Sequence, residues 1–157
     1  MSGSDPVKSK IIASPMAHAF EEAEAAGARG EVPVGAVVMH EGHLIARAGN
    51  RTLEHRDPTA HAEILAIRQA ARHLGSERLI GCDLYVTLEP CAMCAGAISF
   101  ARIRRLYYGA ADEKGGAVDH GPRFYAQTTC HHAPDVYGGM DEARAASLLR
   151  SFFVERR

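Results

Sequence analysis

Two short stretches carry residues able to do chemistry: His61-Ala62-Glu63 and, thirty positions on, Pro90-Cys91-Ala92-Met93-Cys94. Imidazole nitrogen and thiolate sulfur are zinc ligands, and three protein donors with a fourth place left to water mark a catalytic site rather than a structural one. His61, Cys91 and Cys94 form such a trio. The two cysteines stand one turn apart at the start of a predicted helix, so their sulfurs converge, and the positive helix end together with the metal favours the thiolate. Pro90 suits that start, because a first-turn N–H has no helical partner. His61 and Glu63, two apart, would point to opposite sides of a regular helix. The pattern therefore predicts that both belong to the first turn of a helix capped by Thr59 and reach past its tip toward one metal. Zinc lowers the pKa of a held water from ~16 toward neutrality, and Glu63, not itself a ligand, would take its proton. The oxygen would attack an electrophilic ring carbon, and Glu63 would return protons to the ring nitrogen and the departing amine. That reaction is hydrolytic deamination.

Plainer readings fit less of the pattern. A structural zinc knot wants a fourth protein ligand and leaves Glu63 without a role. A thioredoxin-like cysteine pair does not explain His61 and Glu63. A catalytically silent zinc module that binds RNA or a partner has no use for a carboxylate aimed at water. Cys82 and Cys130 read as buried or incidental thiols, with a second metal at Cys130-His131-His132 as the alternative.

The elements that must hold these residues follow from pattern. Ser14-Pro15 starts a helix with Met16, Phe20 and Ala23 on one face, ending near Gly27. Glu21, Glu22 and Glu24 are its wet side. Val34 to Met39 and Leu44 to Ala48 read as antiparallel strands joined through His40-Glu41-Gly42-His43. The helix after Thr59 carries a stripe of Ile64, Ile67, Ala71 and Leu74 and stops at Gly75. Strand Leu84–Leu88, helix Cys91–Phe100 and strand Arg105–Tyr108 then alternate, which implies an α/β architecture with its working ends at strand C-termini. One of Tyr107 and Tyr108 belongs to the core. Residues 112–135 form a long connection, before a short edge strand at Val136-Tyr137. Asp141 caps a last helix with Ala145, Leu148, Leu149, Phe152 and Phe153 on one face.

With 157 residues, 46% hydrophobic, the chain suits one domain over 14–157, with 1–13 a loose leader. A net charge of −1 neither attracts nor repels a polyanion in bulk, so nucleic-acid contact needs a local patch. Arg102, Arg104, Arg105, Arg150, Arg156 and Arg157 are the candidates. No apolar run approaches the ~20 residues of a membrane span, and no secretory signal is seen, so the cytoplasm is the default location.

Further segments extend the pattern: Glu31-Val32-Pro33-Val34-Gly35-Ala36, Asn50-Arg51, Asp57-Pro58-Thr59-Ala60-His61-Ala62-Glu63, Leu84-Tyr85-Val86-Thr87-Leu88-Glu89-Pro90-Cys91 and Cys94-Ala95-Gly96-Ala97. Together they resemble the bacterial tRNA-specific adenosine deaminases of the TadA type, in the cytidine/deoxycytidylate deaminase superfamily, across about residues 15–157. The resemblance implies a three-layer α/β/α cytidine-deaminase-like fold with a mixed sheet of about five strands, one zinc per subunit and a homodimer. The implied activity converts adenosine to inosine at the wobble position of a tRNA anticodon stem-loop. By the same resemblance, Asn50 would hold the purine ring, the backbone near Ala62 would read the base edge, Asp112 would sit near the sugar, and His131 and His132 would help line the RNA groove. Apolar Ile98, Phe100 and Ile103 near a short helix are a candidate sticky face for dimerisation. The rival is a guanine or free nucleoside deaminase using the same zinc chemistry; Val86-Thr87-Leu88 and Ala95-Gly96-Ala97 tilt the reading toward the tRNA type.

Overall fold

Pro15, with its fixed φ, occupies the first turn of helix α1 (Pro15–Ala28), and Met16, Ala19, Phe20, Ala23 and Ala26 form its buried stripe. The computed structural model describes residues 14–155; the leader assigned to 1–13 and the Arg156-Arg157 pair lie outside the described residues. Strands β1 (Gly35–His40) and β2 (His43–Gly49) pair antiparallel. The turn between them is tighter than expected, only Glu41 and Gly42, with φ of 51° and 80°. Two left-handed residues in succession are the requirement of a type I′ hairpin, whose twist matches that of the strands.

Helix α2 (Ala62–Leu74) leads to β3 (Cys82–Leu88), and helix α3 (Ala92–Ala101) crosses over to β4 (Arg105–Ala110). A short β5 (Asp135–Tyr137) and helix α4 (Glu142–Glu155) follow. The sheet order is β2-β1-β3-β4-β5, antiparallel across β2, β1 and β3 and parallel across β3, β4 and β5. Side chains alternate between two cores. Ala36, Val38, Leu84, Val86, Leu106 and Tyr108 face α2 and α3, whereas Val37, Tyr85 and Tyr107 face α1 and α4. This is the expected α/β/α arrangement on a mixed five-stranded sheet. Tyr108 is the core tyrosine; Tyr107 stacks between Tyr85 and Tyr137 along one row of the sheet.

Several local expectations need correction. Helix α2 is capped at His61, not Thr59, whose N–H and hydroxyl both donate to Asp57 Oδ1 in the preceding turn. Pro90 lies before the cap of α3, at Cys91, rather than inside its first turn. The deepest line of α2 is Ala62, Ala66 and Ala70; Leu65, Ile67, Ala71 and Leu74 flank it half-buried. Small residues occupy the contact line because they let the helix backbone sit close on the sheet. On α4 only Ala145 is fully buried and Phe153 is 51% exposed, so the apolar face is narrower than the pattern suggested. Asp141 precedes α4 with φ of 55°, and it is its carbonyl that takes the Ala145 N–H. Glu21 and Glu22 are not simply solvated, since they clamp Arg47 at 2.7 and 2.6 Å. Ile98 and Ile103 are core residues; of the proposed sticky trio only Phe100, 70% exposed, faces solvent.

Candidate active site

Both α2 and α3 begin at the same place, and their cap residues are His61 and Cys91. Cys94 follows in the first turn of α3. The sulfurs of Cys91 and Cys94 lie 3.6 and 3.4 Å from His61 Nδ1, and all three donor atoms fall within 4.8 Å of one another. Tetrahedral zinc with its usual bonds to nitrogen and sulfur separates such donors by about 3.6 Å, so the trio fits the ion as it stands. Two helix N-termini converging there add positive potential that favours thiolates and other anions. Among the described residues this is the only cluster of histidine, cysteine and carboxylate ligands of that kind; Cys130, His131 and His132 do not form one.

The protons on these donors are already shared. A hydrogen bond from Cys94, opposed by burial and helped by His61, lowers Cys91 to about 4. The same hydrogen bond, with burial, drives Cys94 upward. Hydrogen bonding to Cys91 raises His61 against the pull of burial. The hydrogen bonding thus favours the thiolate at Cys91, the form in which cysteine binds a metal.

Glu63 stands in the first turn of α2, 4% exposed. Burial is the main influence on it and raises its pKa from 4.5 to about 7, the range suited to moving protons at neutral pH. It lines a cavity of about 280 Å³ together with His61, Cys91, Val32, Asn50 and Asp112. A larger groove of about 540 Å³, lined by Arg68 and Arg72 of α2 with Arg47 and Arg51, includes none of the donor trio. Its Arg47 is spent on Glu21 and Glu22 and its Arg51 on Glu54, so the smaller cavity is where the chemistry converges.

Asn50 follows β2 and staples three segments: its Oδ1 accepts the Ala62 N–H at 2.8 Å and its Nδ2 donates to Val32 O at 3.1 Å. One Nδ2 hydrogen remains for a ligand, whereas the Ala62 N–H is taken by Asn50. Asp112 lies at the mouth of the cavity, with Oδ1 accepting the N–H groups of Lys114 and Gly115. The structure does not bring the two histidines to this cavity. His131 is exposed, and His132 is turned inward, its Nε2 2.7 Å from Ile103 O. The expected arginine patch is also partly consumed: Arg104 makes a two-pronged bond to Asp83, Arg105 lies 3.9 Å from the same carboxylate, and Arg102 donates to Ser99 O.

Sequence reasoning missed two buried carboxylates beside the cavity. Glu31 accepts Thr52 Oγ1 and the N–H groups of Leu53 and Glu54, and Glu89 gathers the loop after β4. The available signal was an acid bordering an apolar run, at Glu31-Val32 and Leu88-Glu89.

Residues 10–110 match the family model for the cytidine and deoxycytidylate deaminase zinc-binding region. The chain belongs to the cytidine and deoxycytidylate deaminase family. Within this deaminase family it is 66% identical over 139 residues, 88% of this chain and 91% of the relative, to the tRNA-specific adenosine deaminase of Agrobacterium fabrum. A solved structure from work on A-to-I editing by tRNA:A34 deaminases at the wobble position superposes with a TM-score of 0.85 at 64% identity, covering 86% of this chain and 98% of that one. A guanine deaminase from Nitrosomonas europaea is a more distant deaminase neighbour, with a TM-score of 0.75 at 29% identity, covering 89% of this chain and 83% of that one. The zinc-binding region of the family spans the His61, Cys91 and Cys94 trio. No helix among the described residues is long and apolar enough to cross a membrane.

Proposed function

We propose that this protein is a zinc-dependent tRNA adenosine deaminase that converts adenosine to inosine at the wobble position of an anticodon stem-loop. The observation that carries the proposal is a buried carboxylate, Glu63, placed beside a three-donor metal trio at the floor of a cavity that also presents Asn50 and Asp112. High identity to a tRNA-specific adenosine deaminase, against 29% to a guanine deaminase, selects the RNA substrate over the free base. His61, Cys91 and Cys94 hold one zinc per subunit. When bound, zinc supplies Lewis acidity that makes water a nucleophile near neutral pH.

Glu63 accepts the proton of the attacking water, delivers it to N1 of the purine, and passes a second proton to the amine leaving C6, so adenosine and water become inosine and ammonia. Its elevated pKa lets one carboxyl act as base and then as acid. The free Nδ2 hydrogen of Asn50 orients the base, and Asp112 meets the sugar. The cavity admits a single nucleoside, so the target adenosine leaves its stack to react. A tRNA substrate places the enzyme in the cytoplasm, and a homodimer with Phe100 in its contact face is the working assembly.

The test is to incubate the zinc form with an anticodon stem-loop bearing a wobble adenosine, with guanine, and with free nucleosides, and to follow products by mass. Inosine in the RNA alone is expected. Xanthine would support the guanine reading, and no turnover of anything would support a silent RNA-binding module. Metal analysis should give one zinc per chain, and sedimentation should give the mass of two chains.

A further inference from the structure

The reaction leaves one fully buried carboxylate without a task. Glu89 follows the last residue of β3 and lies two residues before the first cysteine donor; its side chain is 0% exposed. Its backbone N–H continues the β3–β4 ladder by donating to Ala110 O at 2.8 Å. Oε1 accepts the Asp112 N–H at 2.9 Å and lies 2.7 Å from His120 Nδ1. Oε2 accepts the N–H groups of Val118, Asp119 and His120 at 3.1, 2.8 and 3.1 Å. Every one of these groups belongs to a single loop, residues 112–120, that emerges from the neighbouring parallel strand. The loop contains Gly115 and Gly116, and its backbone approaches so closely that a Cβ on Gly116 would lie 2.6 Å from Glu89 Cδ. Successive N–H groups converging on one point make an anion cradle, and here the chain supplies the anion itself.

We propose that Glu89 is a positioning residue for substrate recognition: it seats the 112–120 loop so that Asp112 faces the cavity floored by Glu63. The inference rests on the reading of Asp112 as the sugar contact. Asp112 Oδ1 is engaged by Lys114 and Gly115, and no donor among the described residues meets Oδ2, which leaves that oxygen for a ligand hydroxyl. The seat is also what ties the two halves of the site together. Glu89 is joined covalently, through Pro90, to the Cys91 donor, and Pro90 O accepts the Ala117 N–H at 2.9 Å. The loop that binds substrate is thereby referenced to the segment that holds metal, across a fixed pair of parallel strands.

The variants that test this are Glu89→Gln and Glu89→Asp in the full, zinc-loaded chain, alone and combined with Asp112→Ala. Glutamine presents one accepting oxygen and turns an NH2 toward donors, so at least the Asp112 N–H or the trio at residues 118–120 loses its acceptor. Loss of hydrogen bonds to a buried charge predicts about 10- to 100-fold faster amide exchange confined to 112–120. The KM for stem-loop RNA should rise about tenfold with kcat changed much less, as expected for lost ground-state binding. Aspartate keeps the charge and both acceptors and should recover part of the loss. On the Asp112→Ala background, Glu89→Gln should add almost nothing to KM, because the two residues act in series.

Independent, multiplicative effects of Glu89→Gln and Asp112→Ala would overturn the proposal, as would unchanged exchange in 112–120 or loss of zinc from Glu89→Gln. Should Glu89→Gln fail to fold, Gly116→Ala displaces the same carboxylate from the same loop and must show the same exchange and KM pattern. If the wild-type protein deaminates no RNA, the substrate assignment fails, while the exchange comparison still decides whether Glu89 seats the loop.

Discussion

Changing Glu63 to glutamine should abolish catalysis and, in the metal-free protein, increase stability. The side chain is buried at the start of α2, and burial raises its pKa from 4.5 to about 7. A carboxyl whose folded pKa lies above its unfolded value binds its proton more tightly when folded. Its stabilising contribution is complete below pH 4.5 and is lost as pH rises through about 7. At about 1.4 kcal/mol per tenfold, that rise corresponds to roughly 3 kcal/mol of strain at mildly alkaline pH, which glutamine does not carry. Chelator-treated Glu63→Gln should match wild type near about pH 3.5 and exceed it by about 3 kcal/mol near pH 8 in urea unfolding. Turnover moves the other way. General acid–base catalysis is worth about 10²–10⁴-fold, and Glu63 serves both proton transfers, so the upper end is expected. Zinc content should be unchanged, since the carboxylate is not among the three donors. A variant that keeps more than about a tenth of wild-type turnover, that loses zinc, or whose stability advantage shows no pH dependence would refute the assignment.

Three other outcomes follow from the fold. Gly35→Ala would set a Cβ 2.0 Å from Ala19 O and 2.6 Å from Ala23 N in the backbone of α1. Overpacking against unyielding backbone should cost about 3 kcal/mol or more in urea unfolding, and a loss under about 1 kcal/mol would contradict the close seating of α1 on β1. Burial pushes Glu31 upward, but the Glu54, Leu53 and Thr52 donors outweigh it and hold its carboxyl below 4.5. Its stabilisation is thus present above pH 4.5 and lost as pH falls through the lower folded value. The stability gap between wild type and Glu31→Gln should shrink on acidification; a constant gap would disprove the anchoring role. Removing zinc with a chelator should lower the melting temperature and speed amide exchange first at the ends of α2 and α3 near His61 and Cys91, leaving β1 and β3 protected; uniform loss of protection would count against a local metal clamp.

The metal trio, its adjacent acid, the two crossover helices and the antiparallel hairpin were all legible from residue types and spacing. Each depends on short-range rules: ligand chemistry, alternating burial, and the glycine a tight turn needs. What the one-dimensional pattern misjudged was set by contacts distant in sequence. The stripe of α2 shifted onto Ala62, Ala66 and Ala70 because closeness to the sheet, not side-chain size, decided its facing line. Glu21 and Glu22, read as the wet side of α1, meet Arg47 of β2 more than twenty residues away, and Arg104 pairs with Asp83, twenty-one residues away. Glu31 and Glu89 gained their purpose only when folding brought the loops at 52–54 and 112–120 to them. A buried polar group must find partners wherever the fold supplies them, and no local motif can say where that is.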